Sequence, residues 1–311
     1  MTTVWLTHPG CLLHDMGDGH PECPDRLSAI EDRLARDPEL CALLRREIAP
    51  AATREQIERA HDSRLVDAIE RASPATGLRQ IDTDTAMNPY TLEAIRHAAG
   101  AAVRATDLVA TGEVDNAFCA VRPPGHHAER ARAMGFCLFN NVSIGALHAL
   151  EAQGFDRVAV VDFDVHHGNG TEDIFRDDPR VMMVSTFQHP LYPYSGIDGR
   201  SERMVNVPLP AHSDGRAFRA AVEQAWIPAL ERFAPDMLFI SAGFDAHRDD
   251  RLASLALVED DYDWVTARLM EVADRLCAGR IVSVLEGGYS LPALSRSVLA
   301  HVRRLAGVAA G

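Results

Sequence analysis

The 311-residue sequence contains no apolar run of about 18 residues, so no stretch of it reads as a membrane-spanning helix. Its six cysteines are scattered and form no C-x-x-C pair, which points to reduced thiols rather than a disulfide framework. The opening MTTVWLTHPG lacks a charged segment followed by an apolar one. No export signal is therefore expected, and a cytoplasmic location is the consistent reading. Positive charge is also scarce. A formal net charge of −14 argues against general nucleic-acid binding, which depends on neutralising phosphates. The same balance suits a cationic small molecule or peptide, and equally serves solubility. No internal repeat, low-complexity linker or compositional break divides the chain, so one domain over residues 1–311 is expected.

What is present is an alternation of strands and helices. Apolar content of 47% with 24% charged residues describes an ordinary globular protein. Strands are expected at Thr3–Thr7, Asn116–Val121, Val158–Val161, Val181–Thr186, Met237–Ser241 and Ile281–Leu285. Helices are expected from about Asp25, over 54–71, and over Thr91–Val109, Asn140–Ala152, Asp214–Phe233, Asp260–Cys277 and Leu291–Leu305. Polar or Pro-rich loops are expected at Arg122–Gly135 and Phe187–Gly199. The alternation predicts an α/β protein with a mostly parallel sheet covered on both faces.

Four expected strands are followed at once by unusual chemistry. The apolar strand at 158–161 turns abruptly into Asp162, Asp164 and His166 at i, i+2 and i+4. In extended backbone these three would share one face, a natural donor set for zinc or another divalent ion. After 116–121 comes the Pro-Pro-Gly turn with His126 and His127, imidazoles placed for acid–base work. After 237–241 come Asp245 and His247, and spacing alone leaves either as a third ligand. After 281–285 comes Glu286-Gly287-Gly288-Tyr289, where a tyrosine hydroxyl could donate to a developing oxyanion. The carboxyl ends of parallel strands lie along one edge, so these loops can converge.

The segments HPECPDRL (20–27), RPPGHHA (122–128), GFCLFNN (135–141), VDFDVHHGNGT (161–171), SAGFDAH (241–247) and EGGYS (286–290) occur in that order. Together they resemble the zinc-dependent histone deacetylase family, which includes acetylpolyamine amidohydrolases and acetoin-utilisation proteins. Pro-Pro-Gly before the histidines, and Asn169, resemble the class II branch and its bacterial relatives.

The resemblance implies a three-layer α/β/α arginase–deacetylase fold. It also implies hydrolysis of N-acetylated amines with release of acetate, acetyl-lysine side chains being the leading substrate. By matching positions it implies one zinc held by Asp164, His166 and Asp245. His127 would be the general base and acid, His126 its partner held by Asp162, and Tyr289 the carbonyl-polarising hydroxyl. Gly135 and Phe136 would line an acyl tunnel opposite Tyr192, with Leu252 and Gly287 also facing substrate, and His167 behind the metal. Asp162, Asp164, His166, Ser185 and Thr186 would match a structural potassium site, with Phe175 and Val181 at an outer one.

Leu252 stands where dedicated polyamine deacetylases carry Glu, which favours acyl-lysine over acetylpolyamine. No counterpart of the class I rim aspartate that grips substrate backbone is assigned; Ser73 is the nearest substitute. The competing readings are an acetylpolyamine or other small-amine deacetylase, an arginase-like ureohydrolase with two manganese ions, and a non-catalytic acyl-lysine binder. The expected partner is an acetylated peptide, protein or small amine, with neither nucleic acid nor membrane, and self-association is left open.

Overall fold

The computed structural model describes residues 1–198 and 201–308. The expected loop ending at Gly199 therefore has its last residue outside the described part. Among the described residues there are ten strands: β1 (Thr3–Thr7), β2 (Leu44–Ile48), β3 (Arg79–Gln80), β4 (Ala86–Met87), β5 (Asn116–Cys119), β6 (Val158–Asp162), β7 (Val181–Gln188), β8 (Met204–Leu209), β9 (Met237–Ala242) and β10 (Ile281–Leu285). Eight of them form one sheet in the order β2-β1-β5-β10-β9-β6-β7-β8, and every pairing is parallel. β3 and β4 make a separate antiparallel hairpin.

The inner strands β5, β6, β9 and β10 are buried at every position, so their near-continuous apolar runs are what a sheet covered on both faces requires. One layer contains α3 (Arg54–Ala60), α5 (Thr91–Ala110) and α6 (Asn141–Glu151), with α6 packed on both others. The other layer contains α1 (Asp25–Leu34), α9 (Ile227–Phe233), α10 (Glu259–Leu276) and α11 (Leu291–Leu305), α11 packing on α1 and α10. The remaining helices are α2 (Pro38–Leu43), α4 (Ser63–Ala72), α7 (Asn169–Phe175) and α8 (Gly215–Ala221).

Two expectations change. The helix expected over 54–71 is two helices, α3 and α4, parted at His61-Asp62. The buried His61 donates from Nδ1 to the carbonyl of Glu129 (3.0 Å) and accepts at Nε2 from the Asn140 amide (2.8 Å). Asp62 then caps α4 by accepting from the Arg64 amide. The helix expected over 214–233 contains a π-turn at Val222–Trp226 just before Pro228, whose missing N–H cannot continue an α-helical ladder. The edge strands β2 and β8 were not expected. Both are shallow, β2 carrying Arg45, Arg46 and Glu47 and β8 carrying Pro208, as unpaired sheet edges tolerate.

The sheet order decides where chemistry can gather. β5, β10, β9 and β6 are the four contiguous strands at its centre, and all run the same way. The four polar segments that follow them therefore emerge side by side at one edge.

Candidate active site

β6 stops at Asp162, four residues short of His166, so the three side chains do not share a strand face. Asp164 and His166 converge because the chain turns, not because the pleat aligns them. The Asp164 amide donates to Asp162 Oδ1 (3.0 Å) and the His166 amide to Asp164 Oδ1 (2.9 Å), two successive Asx turns. Asp162 consequently points elsewhere, its Oδ2 lying 3.0 Å from His126 Nδ1. Asp164, His166 and Asp245 form the close group, each offering one ligand atom within 4.8 Å of the other two. His166 Nδ1 lies 3.0 Å from Asp164 Oδ1 and 3.2 Å from Asp245 Oδ2. Of the two residues left open, Asp245 and not His247 lies in this group. His247 Nδ1 accepts from the Asp249 amide (3.1 Å) and its Nε2 faces Glu259 (3.4 Å).

The donor chemistry of this triad fits a divalent cation. Asp245 Oδ1 accepts from the Val165 amide (2.9 Å), while its buried Oδ2 faces only the His166 ring. Asp164 Oδ2 accepts from the Gly287 amide (2.8 Å). The cradle has no room for side chains beneath it. A Cβ at Gly243 would lie 2.1 Å from Asp164 Oδ2, and one at Gly287 2.1 Å from Asp245 Oδ2. Gly287, expected to face substrate, is thus under the carboxylates and absent from the tunnel lining. Burial opposes charge on His166, yet its two carboxylates push its pKa up to about 10. Burial and the Asp164 charge push Asp245 up to about 6. Two carboxylates crowded in a water-poor site create a demand for positive charge that one metal ion satisfies.

The paired histidines have different partners and different electrostatics. Burial disfavours a charged His126, but the carboxylates of Asp164 and Asp162 outweigh it and hold its pKa well above the usual value. His127 Nδ1 donates to an amide oxygen rather than a carboxylate, Asn169 Oδ1 at 2.7 Å. Burial, then the nearby His126 and His166, hold it well below the usual value. The two shifts run in opposite directions, toward the charged form for His126 and the neutral form for His127.

A tunnel of about 250 Å³ leads to these groups, lined by Asp84, His127, Gly135, Phe136, His166, Leu191, Tyr192, Leu252 and Tyr289. Leu252 is partly exposed and marks its outer end. The Tyr289 ring stands edge-on to Phe136 at 5.8 Å, and burial foremost raises its phenol well above the usual range. Ser73 ends α4 and is not in the lining; Asp84, from the turn between β3 and β4, is the carboxylate there. His167 turns away, bonding Ser195 Oγ (2.8 Å) and facing Glu172 (2.7 Å). Ser185 lies opposite Asp162 in the sheet and donates to Asn206 (3.0 Å), with Thr186 beside it; Phe175 ends α7 and Val181 opens β7, both buried.

Three supporting carboxylates were missed. Buried Glu286 accepts from the amides of Gly125 (2.7 Å) and His126 (3.1 Å), tying the histidine turn to β10, and burial pushes it up to about 7. Asp250 accepts from the amides of Tyr289 (2.6 Å) and Ser290 (3.0 Å), fixing the tyrosine. Glu22 binds Arg122 and Arg26, and Arg26 in turn donates to the carbonyls of Gly288 (2.7 Å) and Glu286 (2.5 Å). Glu22 and Glu286 stand inside the quoted 20–27 and 286–290 segments, and Asp250 lies outside all of them.

A histone deacetylase domain model matches residues 20–305. A probable deacetylase of Archaeoglobus fulgidus is 36% identical over 318 aligned residues, covering 99% of this chain and 87% of that protein. A histone deacetylase-like amidohydrolase of Pseudomonas aeruginosa is 38% identical, covering 93% of this chain and 78% of that protein. Among solved structures, the crystal structure of the HDA15 HD domain matches with a TM-score of 0.92 at 34% identity, covering 99% of this chain and 89% of that one.

Proposed function

The chain belongs to the histone deacetylase family and is a deacetylase of the amidohydrolase type, and from that premise we propose that it removes acetyl groups from lysine side chains using one zinc ion. Asp164, His166 and Asp245 would hold the ion. Bound there, zinc would polarise the amide carbonyl and acidify the attacking water. His127, neutral at Nε2, takes the proton from that water. Tyr289 donates its hydroxyl hydrogen to the carbonyl oxygen as negative charge develops there. A protonated imidazole of the pair then supplies the leaving amine with its proton. Asp162 keeps His126 charged throughout, which lowers the basicity of His127 and favours that return transfer. The strands around Asp162, Asp164, His166, Ser185 and Thr186 are where a structural potassium ion would sit.

The observation that carries this reading is the buried group of Asp164, His166 and Asp245, each offering a ligand atom within 4.8 Å of the other two, at the base of a narrow tunnel. Phe136, Leu191, Tyr192 and Leu252 give that tunnel an apolar wall suited to a four-carbon lysine stem. The chain itself contains no lysine, so its substrate comes in trans. Asp84 in the lining favours a second reading, a small acetylated polyamine whose other amine is charged. The neutral Leu252 favours the first. An arginase-like two-metal centre fits poorly, because the described residues offer a single buried Asp/His group at this edge.

The test is a panel of acetyl-lysine peptides and acetylpolyamines on zinc-loaded protein, with Tyr289→Phe alongside. Tyr289→Phe keeps its zinc and loses about 10²–10³ in kcat, the cost of one oxyanion donor. Wild-type turnover in that variant removes the tyrosine from the mechanism, and turnover of neither substrate class removes the deacetylase reading.

A further inference from the structure

The neutral base needs its free electron pair on Nε2, toward the tunnel, and that is settled by which face of an amide meets Nδ1. Asn169 Oδ1 lies 2.7 Å from His127 Nδ1. On the other side of the same amide, Asn169 Nδ2 donates to Glu129 Oε1 (2.8 Å) and to Met134 Sδ (3.4 Å). Both amide hydrogens are thus spent on acceptors that have no hydrogen to offer in return. A reversed amide would turn Oδ1 against the Glu129 carboxylate and an N–H against the ring nitrogen. The carboxylate makes that reversal unfavourable.

We propose that Glu129 is a positioning residue for catalysis, orienting the Asn169 amide so that it accepts from His127 Nδ1–H and leaves Nε2 free to take a proton. The proposal rests on the reading of His127 as the base. Glu129 is itself held in place. Its amide donates to the Arg132 carbonyl (2.9 Å), and its carbonyl accepts from the buried His61 ring (3.0 Å), the residue that breaks α3 from α4. It touches no part of the tunnel. Glu129, Met134 and Asn169 line a separate polar cavity of about 510 Å³ that shares no residue with the tunnel lining. Its contribution should therefore appear in kcat and leave KM alone. Placing the negative charge one amide away also aims the ring without giving it the directly bonded carboxylate that His126 has.

The experiment compares Glu129→Ala, Glu129→Gln, Asn169→Asp and Asn169→Asp/Glu129→Ala in zinc-loaded full-length protein on one acetylated substrate. Glu129→Ala is expected to lower kcat about 10- to 100-fold with KM unchanged, the range in which lost outer partners act. Glu129→Gln recovers most of that loss, because its Oε1 still accepts from Asn169. In the Asn169→Asp background, where a carboxylate meets Nδ1 directly and cannot present an N–H, removing Glu129 no longer lowers kcat. Nitrogen NMR of ¹⁵N-histidine protein shows His127 as the Nδ1–H tautomer in the wild type and a mixture in Glu129→Ala. Wild-type kcat in Glu129→Ala, a Gln variant no better than Ala, or an equal loss in both backgrounds overturns the proposal. His127→Ala run in parallel isolates the underlying reading, since full activity there would sink the base assignment whatever Glu129 does.

Discussion

Replacing Gly287 by alanine should empty the metal site while leaving the fold intact. Gly287 lies two residues past β10 and donates its amide to Asp164 Oδ2 at 2.8 Å. A methyl group on its Cα would lie 2.1 Å from Asp245 Oδ2, 2.6 Å from Asp164 Oδ2 and 2.8 Å from Asp245 Cγ. Real Cβ atoms essentially never come within 3.0 Å of such neighbours, so the Asp245 carboxylate must retreat by close to 1 Å. Zinc–oxygen bonds run at about 2.0–2.2 Å and tolerate about 0.2 Å of error, so the triad cannot keep both oxygens on the ion. Zinc affinity should fall by at least about 10- to 100-fold, the range found when ligand orientation is disturbed. Gly287 does not need the left-handed backbone region that only glycine accepts freely, so alanine brings no conformational penalty.

Competition for zinc with a chromogenic chelator measures the affinity, and thermal melts with and without zinc separate site from fold. The zinc-dependent rise in Tm should shrink in Gly287→Ala, because the bound state contributes less by mass action. Comparing each protein with its own metal-free melt cancels any overpacking cost the methyl imposes elsewhere. Wild-type zinc affinity together with wild-type turnover would refute the placement of the ion between these two carboxylates.

Acid should destabilise the protein through His301, which is buried between Thr266 Oγ1 (2.6 Å) and Ser283 Oγ (2.8 Å) and pushed down to about 3 by burial. As pH falls below about 6.5 the unfolded chain takes a proton that the folded one refuses, costing about 2 kcal/mol between pH 7.5 and 5. Urea titrations at those two pH values should show that share of the loss disappearing in His301→Gln, and equal losses in both proteins would contradict it. Leu252→Glu should raise kcat/KM on an acetylpolyamine relative to an acetyl-lysine peptide by up to about fivefold, the worth of one exposed ion pair. Asp84→Asn should raise KM for the polyamine by a similar factor with kcat unchanged, and an unchanged KM would remove Asp84 from cation recognition.

The strands that matter were legible because they are buried on both faces and read as apolar runs, Val158–Val161 and Ile281–Leu285 among them. The edge strands β2 and β8 were not, since an edge needs no such run and Arg45-Arg46-Glu47 reads as solvent-facing. His127, His166 and Tyr289 lie in short segments after strands, where the sequence turns suddenly polar. What the sequence hid was the support. Glu286 and Asp250 act by accepting backbone N–H groups, and a carboxylate used in this way carries no spacing rule relative to the residues it fixes. Asp84 was equally invisible, because it reaches the tunnel from a two-stranded hairpin whose strands are only two residues long. The i, i+2, i+4 spacing was sound evidence for convergence but for the wrong reason. Side chains that bond their own backbone bend the chain, and it is the bend that separates Asp162 from Asp164 and His166.

That separation gives two adjacent histidines opposite surroundings. His126 and His127 are neighbours in sequence, with ring centroids 4.1 Å apart, so charge on one disfavours charge on the other. The fold breaks the tie by giving His126 a carboxylate and His127 an amide. Had Asp162 stayed on the face of Asp164, it would have joined the metal ligands and left His126 without the partner that keeps it charged. Had residue 169 been an aspartate beside Glu129, two carboxylates would have competed for a proton 2.8 Å apart. The asparagine and the glutamate are therefore one device. A single amide carries orientation from Glu129 to His127 while keeping full negative charge off the ring, and the difference in basicity between two identical side chains follows from where the carboxylates stop.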